Sequence, residues 1–442
     1  MTAHFFSAIA KSMHRRIKRR QILLTPLRFT GVAVPTDTGT TLIAGNDLTV
    51  QSAQSTFADG QYSKQSQSGP IGGYSDGMLS LGYGSSSLTG QDASIGVQQV
   101  GSSISSQNGD VTLSAGNKAT IAASDIAAGG DLTIVAKDIE LQARQDTGNS
   151  LASQSGHSSG LSLGLMLDPV AAYQSGRDAA TSGEPTSTST VGELGRLFDG
   201  YYGGLTAAVT QQVVTGHSQS ANGQQGGGTS KARVSQLGAG GNLTLLATDG
   251  SITSEGAQMS AGGDATLIAS DNITLGVAHS TQAQTQGSKV SGIGLANNTF
   301  GLPVGTYDDK SNGAGLTDTI TGTQLSVGGN ATLATVKGDI GLTATNIAAD
   351  GDVNIAAARN LTIQSGQDTA ANDNTSNNKA IGTVVVSDTE RFSGYHTEDH
   401  IDNNAKVTQV ASNVGSLNGD VNLSAGGAYT QTASNVLGAC RT

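Results

Sequence analysis

The chain has 442 residues, among them 62 Gly, 6 Pro, 1 Cys and no Trp, and only 4% of its residues are aromatic. So few large rings exclude a conventional globular core, and a charged fraction of 13% is too low for a typical disordered acidic tail. The single thiol, Cys440, cannot form an internal disulfide, and a formal net charge of −11 at pH 7 disfavours nucleic acid as a partner.

Residues 1–37 form a basic segment without the pattern that follows, and disorder is expected there. Seven of the 23 Lys and Arg residues lie among the first 28 residues, where no Asp or Glu occurs. Without those seven, 16 basic and 34 acidic residues remain, a net charge of −18 that argues against nucleic-acid binding by the body of the chain. The apolar run at residues 22–27 is short and contains Pro26, which disfavours a cleavable export signal. No stretch approaches the roughly 20 apolar residues of a membrane-spanning helix.

Residues 38–438 are organised by a recurring phrase: Gly, then Asp or Asn, then an apolar residue, a middle residue that is usually Thr, and a second apolar residue. Copies begin at Gly109, Gly130, Gly241, Gly263, Gly329, Gly351 and Gly419. Within three pairs of copies the spacing is 21 or 22 residues, the length of one coil of a β-solenoid. Apolar residues two apart point to one face, so each copy predicts a strand. The Gly and a self-capping Asp or Asn predict the turn before it.

A second strand follows in the same coil, at residues 138–141, 272–275 and 360–363. Each coil therefore contains several short strands that stack on the equivalent strands of neighbouring coils. We predict an all-β fold, a right-handed parallel β-helix with coils of about 21–22 residues and long projecting hairpins or loops as inserts.

The inserts lie near residues 55–95, 146–234, 283–320 and 368–408 and are rich in Ser, Gly, Gln, Asn and Thr. Alternating apolar runs at residues 77–83 and 160–167 predict hairpin strands. Residues 191–202 predict a short helix that ends in Tyr201 and Tyr202. Residues 439–442 follow the last repeat as an unpatterned, truncated end, and we expect the chain to be a segment of a longer exported protein.

The recurring carboxylates favour turn chemistry over catalysis. They occupy equivalent turn positions in different coils: Asp110, Asp131, Asp264, Asp352 and Asp420. Asn replaces Asp at 242 and 330, which a turn accepts and a general acid does not. A calcium-binding repeat would need a nine-residue pattern that this spacing does not supply.

His396 and His400 form the one metal-like pair, four residues apart. Position 397 is Thr and position 399 is Asp, whereas metalloprotease motifs need Glu directly after the first His or directly before the second. A solvated polar loop is therefore favoured over a zinc site. The chain is predicted not to be an enzyme, with no catalytic, cofactor-binding or metal-binding residues.

The repeated phrase, the coil length and strands such as Leu361-Thr362-Ile363 that give way to Ser/Gly/Gln-rich inserts resemble the hemagglutinin repeats of filamentous hemagglutinin-type exoproteins. These are long secreted proteins of two-partner secretion systems in Gram-negative bacteria, and they include adhesins and the stalks of contact-dependent growth-inhibition toxins. The resemblance covers roughly residues 38–438. The family's amino-terminal secretion domain is not evident, and no toxin domain follows Leu437.

The resemblance implies a secreted stalk segment at the outer-membrane surface, acting in cell contact, toxin delivery and virulence. Its implied partners are the surface of a target cell, with the receptor or glycan unspecified, and an outer-membrane transporter for the full-length parent. Two alternatives stay open. One is a polysaccharide-binding or polysaccharide-cleaving β-helix, which the lack of Trp disfavours, and the other is a non-functional gene fragment.

Overall fold

The computed structural model describes residues 22–24, 26–75, 78–166, 212–297, 304–385 and 391–439. The predicted helix at residues 191–202 and most of the basic segment lie outside these ranges. All regular structure in the described residues is β. The strands form three parallel nine-stranded stacks and four long antiparallel hairpins.

Three short strands make one coil, and nine coils follow one another in chain order. Sheet I contains the first strand of each coil: Ile22–Leu24, Thr40–Ala44, Val111–Ala115, Leu132–Ala136, Leu243–Ala247, Ala265–Ala269, Ala331–Thr335, Val353–Ala357 and Val421–Ala425. Sheet II contains the second: Leu27–Thr30, Leu48–Gln51, Lys118–Ala122, Asp138–Gln142, Ile252–Glu255, the start of Ile273–Asn297, Ile340–Thr343, Leu361–Gln364 and Tyr429–Thr432. Sheet III contains the third: Ala33–Thr36, Ser103–Ser106, Asp125–Ala128, Gln236–Ala239, Gln258–Ala261, Gln324–Val327, Asn346–Ala349, Asn413–Ser416 and Asn435–Leu437.

The interior is a set of stacked apolar rows. Strand Leu243–Ala247 alternates buried and partly buried residues, and its buried Leu245 pairs in register with Ile134 below and Leu267 above. All three side chains are fully buried. Period-2 alternation thus puts one face of the short strands into a continuous core, as the repeated phrase predicts, except that Tyr429–Thr432 of the last coil is exposed along its whole length. The β-helix and its coil length of 21–22 residues are confirmed.

The sequence predicted that the Asp and Asn of the repeated phrase cap their own turns, and this prediction is wrong. Each Oδ1 accepts a hydrogen bond from the backbone N–H of the equivalent residue in the next coil, and Asp131 N–H to Asp110 Oδ1 is the first such bond, at 2.9 Å. The ladder continues through Asn242, Asp264, Asn330, Asp352 and Asp420 with distances of 2.7 to 2.8 Å. Asn serves as well as Asp because both present Oδ1, which explains their interchange.

The other two corners also carry ladders of polar side chains. At the corner between sheets I and II, a side-chain Oδ1 or Oγ atom of one coil accepts a hydrogen bond from the backbone N–H of the equivalent residue in the next coil. This ladder runs through Asp138, Ser251, Asn272, Asp339, Asn360 and Ala428. Between sheets II and III the residues are fully buried hydroxyl side chains, namely Ser102, Ser124, Ser235, Thr323, Thr345 and Ser412. Backbone groups at the corners are therefore hydrogen-bonded between coils.

The β-helix begins one coil before the boundary predicted at residue 38. Coil 1 spans residues 22–36, and its Leu27 pairs with Leu48 of coil 2 and is buried. This coil lacks the Gly-Asp phrase. Its strands still pair because parallel pairing requires only extended backbone in register with the coil above.

Coils alternate between two kinds. Coils 2, 4, 6 and 8 extend into hairpins between sheets II and III, and we call them hairpin coils; the odd-numbered coils turn directly, and we call them plain coils. Every plain coil has a residue with positive φ at this corner: Gly31, Ala123, Gly256, Ala344 and Ala433. The left-handed conformation makes the sharp turn that a hairpin replaces in its neighbours.

Gly256→Ala should destabilise the protein by about 2–4 kcal/mol, because a left-handed alanine and local overpacking both cost free energy. Gly256 has φ +68°, and an added Cβ would lie 2.5 Å from the carbonyl oxygen of Thr321. The free energy of unfolding, measured with urea, tests this. Gly341→Ala is the matched control, since nothing lies within 4 Å of its Cβ position. Equal unfolding midpoints for the two variants would contradict the steric argument.

Candidate interaction surface

The four inserts, predicted as long hairpins or loops, are long antiparallel hairpins. Their strands are Ala53–Ser75 with Met78–Val100, Arg144–Met166 with Gln212–Arg233, Ile273–Asn297 with Val304–Gly322, and Gly366–Val385 with Arg391–Val410. We number them hairpins 1 to 4. Two regions predicted as hairpin strands, near residues 77–83 and 160–167, lie in Met78–Val100 and largely in Arg144–Met166.

The hairpins do not project separately but join edge to edge in one eight-stranded antiparallel sheet. The second strand of each hairpin pairs with the first strand of the next, through Gly148 with Gly96, Gln224 with Gly287, and Asn312 with Thr375. This hairpin sheet continues sheet II outward, because Ile273–Asn297 belongs to both. The sequence did not indicate this joining.

Spacing along the β-helix explains why the hairpins join. Stacked coils and adjacent strands have the same repeat of about 4.8 Å, so a two-stranded hairpin is as wide as two coils are tall. A hairpin in every second coil therefore tiles a continuous sheet. Hairpins in every coil would overlap, and hairpins in every third coil would leave one-strand gaps.

Side chains at the base of the sheet link neighbouring hairpins. Asp146 Oδ1 accepts a hydrogen bond from the backbone N–H of Gln99 at 2.5 Å. At equivalent positions Ser280 Oγ accepts from the N–H of Ala232, and Asp368 Oδ1 accepts from the N–H of Ile320 at 2.8 Å. Gln99 is 5% exposed, and its side-chain Oε1 accepts a hydrogen bond from the Ser52 hydroxyl. The backbone ladder between hairpins begins one step further out, so these side chains make its first bond.

Asp368→Ala should loosen hairpin 4 from hairpin 3 at its base. It removes the acceptor of the partly buried Ile320 N–H, and loss of a charge-assisted hydrogen bond costs roughly 1.5–3 kcal/mol. Amide hydrogen exchange of Ile320 and its neighbours should accelerate. Asp368→Asn keeps Oδ1 and is the control. An unchanged exchange rate in the alanine variant would show that the bond does not hold the hairpins together.

The two faces of the hairpin sheet differ sharply. Residues paired across antiparallel strands share a face, so the registers assign every described position to one face or the other. Of 14 large apolar side chains in the described sheet that are at least 44% exposed, 12 lie on one face. Six lie nearer the β-helix: Tyr62, Ile95, Leu151, Leu316, Ile401 and Val407. Six lie further out: Leu81, Tyr83, Leu161, Ile293, Ile381 and Tyr395. We call this the apolar face.

The opposite face, which we call the polar face, carries mostly Gln, Ser, Thr and Gly. Its exposed Phe57 lies over Gly96, where an added Cβ would be 2.4 Å from Phe57 Cζ. Beside it is a shallow groove of about 280 Å³ lined by Phe57, Gly148, Thr229, Gln282 and Gln284, among others. Tyr307 covers Gly292 in the same way. The glycines thus seat aromatic rings flat against the backbone.

A row of glycines crosses the polar face. Seven of the eight strands have Gly at the same level, namely Gly69, Gly84, Gly160, Gly294, Gly305, Gly382 and Gly394, and His217 occupies the eighth. Gly382 and Gly394 pair with each other and have φ of 129° and 151°. Those values favour glycine over any residue with a Cβ.

Charges are present on both faces. On the apolar face Lys289 Nζ lies 3.7 Å from Asp308 Oδ2, and Lys310 lies 4.0 Å from the same atom. On the polar face, burial raises the pKa of Asp309, and the neighbouring Asp308 charge raises it further. The folded state therefore disfavours the ionised form of the Asp309 carboxyl.

The pKa of Asp309 predicts a pH-dependent effect of Asp309→Asn. The folded state binds this proton more tightly than the unfolded state, so the carboxyl's stabilising contribution is complete below the ordinary value of 3.8 and is lost as pH rises through the folded pKa. The melting temperature of the variant should therefore be higher than that of the parent at neutral pH, and the difference between the two melting temperatures should become smaller in acid. Asp59→Asn, an exposed change on the same face, is the control. A gap that widens in acid would contradict the prediction.

The candidate chemical residues from the sequence are dispersed. The recurring Asp residues lie in the corner ladder, one per coil, as hydrogen-bond acceptors. His396 and His400 lie on strand Arg391–Val410 rather than on a helix or in a loop. Four residues of strand separate their positions by roughly 13 Å, and His396 Nε2 lies 4.0 Å from Glu398 Oε2.

Among the described residues, no three His, Cys, Asp or Glu side chains converge as metal ligands would. Within the same residues no helix has the length and apolar character of a membrane span.

The family described as hemagglutinin repeat matches residues 25–156, 79–193, 214–383 and 304–440. These overlapping matches cover most of the chain. No solved structure matches it.

Curated relatives are much longer proteins. The chain is 28% identical over 358 residues to "Toxin CdiA" of Yersinia pestis, which covers 76% of the chain and 11% of that protein. It is 28% identical over 365 residues to "Deoxyribonuclease CdiA" of Yersinia pseudotuberculosis, a match that covers 76% of the chain and 33% of that protein. It is 26% identical over 426 residues to "tRNA nuclease CdiA" of Escherichia coli O6:K15:H31, with 88% and 13% covered. The chain therefore spans about a tenth to a third of the length of these relatives.

Proposed function

Because the chain belongs to the hemagglutinin-repeat family of filamentous hemagglutinin-type exoproteins, we propose that it is a stalk segment that supports surface contact and toxin delivery. A chain of this family is secreted and displayed at the outer-membrane surface of a Gram-negative bacterium. The observation that carries the proposal is the uninterrupted stack of nine coils, whose strands pair continuously in all three parallel sheets.

A stalk works by reach. Nine coils at about 4.8 Å each make a rod of roughly 40 Å, and each further hairpin coil with its plain coil adds about 10 Å. The repeats predicted over residues 38–438, together with coil 1, are the proposed stalk region. Its fully buried rows of Leu and Ile make it a rigid spacer.

Chain variants with one, two or three extra copies of residues 265–352 test the stalk role. These residues form hairpin coil 6 and plain coil 7. Electron microscopy of single particles should show the dimension along the β-helix axis growing by about 10 Å per copy, while the roughly 65 Å reach of the hairpins stays the same. A length that stays constant would refute the stalk role.

Surface contact is assigned to the hairpin sheet, because its strands of about 20 residues extend roughly 65 Å from the β-helix. Labelled chain should bind target cells saturably. Variants with the outer halves of all four hairpins replaced by two-residue turns should lose that binding while retaining the β-helix. Unchanged binding by these variants would show that the hairpin sheet does not make the contact with target cells.

We assign no catalysis to this chain. Two of the relatives described above are named for nuclease activity, and the chain spans 33% and 13% of their lengths. The recurring carboxylates here already accept backbone hydrogen bonds in the corner ladder. Incubation with DNA and tRNA in the presence of Mg²⁺ should leave both intact, and cleavage by the purified chain would overturn this assignment. The proposed partners are a target-cell surface and, for a longer parent, an outer-membrane transporter.

A further inference from the structure

The apolar face exposes an unusually large total apolar area. Its 12 exposed side chains are 44–69% exposed. At roughly 100 Å² each they present about 1,200 Å² in two groups, one nearer the β-helix and one further out, and each group of about 600 Å² is at the upper end of the largest apolar patch that a typical monomer exposes. A stable interface needs about 800 Å² from each partner, so this face alone has sufficient area.

We propose that the apolar face binds the apolar face of a second copy of this chain. The two sheets would lie about 10 Å apart as in a β-sandwich, related by a two-fold axis parallel to the strands. Such an axis keeps each residue at its level along the strands and reverses the strand order. The first strand of hairpin 1 then lies over the last strand of hairpin 4. This inference depends on the hairpin sheet and not on the proposed stalk role.

Charges on the two outermost strands are complementary in this arrangement. Lys64 and Asp399 both lie on the apolar face, and the registers put them at the same level on opposite edges. The axis puts Lys64 opposite Asp399 of the second copy, and the symmetry forms the pair twice. His157 similarly comes opposite Asp308 of the second copy.

Side-chain sizes are complementary as well. The same operation puts Ile95 over Ala371 and Leu151 over Ala314. Tyr62 of one copy comes over Ile401 of the other, two side chains that are 60% and 69% exposed in the single chain. Large residues facing small ones allow two sheets to interdigitate. An isologous interface needs this self-complementarity.

Sedimentation equilibrium of the whole chain and four variants tests the proposal. The parent should dimerise at micromolar concentration. Lys64→Asp and Asp399→Lys should each weaken the dimer by about tenfold or more, because each puts like charges opposite one another twice. The double variant Lys64→Asp/Asp399→Lys should restore dimerisation. Lys406→Asp, on the polar face of the same edge strand, is the control and should change nothing.

Restoration by the double variant separates direct pairing from a general effect of charge. A monomeric parent, a double variant as weak as the single variants, or an equal loss in Lys406→Asp would overturn the proposal. A monomeric parent that sediments with phosphatidylcholine vesicles would assign the face to lipid and likewise overturn it. Circular dichroism of each variant confirms that the β-helix is intact.

Discussion

Insertion of an extra plain coil should split the hairpin sheet in two while the β-helix stays folded. The variant carries a second copy of residues 243–264, which form plain coil 5, directly after residue 264. Two plain coils instead of one then lie between hairpin coils 4 and 6, and a gap of about 4.8 Å opens where Gln212–Arg233 met Ile273–Asn297.

Amide hydrogen exchange measures the split directly. The N–H groups that bond across the 17 pairs between these two strands should lose protection, so that their opening free energy falls toward zero. Amides of the short strands, such as Leu243–Ala247, should stay protected. Both new edges would also be unpaired strands, so the variant should aggregate more readily than the parent.

A matched insertion keeps the tiling. A second copy of residues 265–352 placed after residue 352 adds one hairpin coil and one plain coil, which preserves a hairpin in every second coil. That variant should keep full protection in all its hairpins. Retained protection in the plain-coil insertion, or lost protection in the matched one, would show that coil height does not set the pairing of hairpins.

Leu245→Ala should cost roughly 2–5 kcal/mol of unfolding free energy, the range for truncation of a fully buried leucine. Leu245 is 0% exposed and lies between Ile134 and Leu267 of the adjacent coils, so the cavity opens into the middle of a stacked row. Neighbouring coils cannot close it, because their strand spacing is set by backbone hydrogen bonds.

Guanidinium unfolding followed by circular dichroism measures this loss. Thr244→Ala, one residue away and directed outward, should change the unfolding free energy by no more than about 0.5 kcal/mol. Equal effects at the two positions would mean that the interior row is not the source of stability. The large effect at Leu245 also bears on function, since a stalk transmits reach only while its stacked coils remain closed.

The dimer proposal and the stalk proposal are separable. Charge exchange at Lys64 and Asp399 alters only the outer strands of the hairpin sheet, whereas the coil insertions alter length and tiling. A chain that lengthens as expected but stays monomeric would retain the stalk role and lose the second-copy interface.

The sequence by itself determined the β-helix. In strand Val111–Ala115 the buried positions are Val111, Leu113 and Ala115, and alternation alone predicts them. Coil length follows from the distance between repeated phrases, and inserts follow from interruptions of that distance. All of these are local or periodic properties, which a single chain displays without knowledge of its neighbours in space.

Only the tertiary structure decided which groups the polar residues bind and which faces the inserts share. Asp131 Oδ1 accepts from Asn242, 111 residues away, because hairpin 2 intervenes in the chain but not in the stack. Residues of the apolar face, such as Tyr62 and Ile401, come to one level only through seven successive strand registers. Those registers arise because a two-stranded hairpin is as wide as two stacked coils are tall. No local pattern in the sequence indicates this match in dimensions.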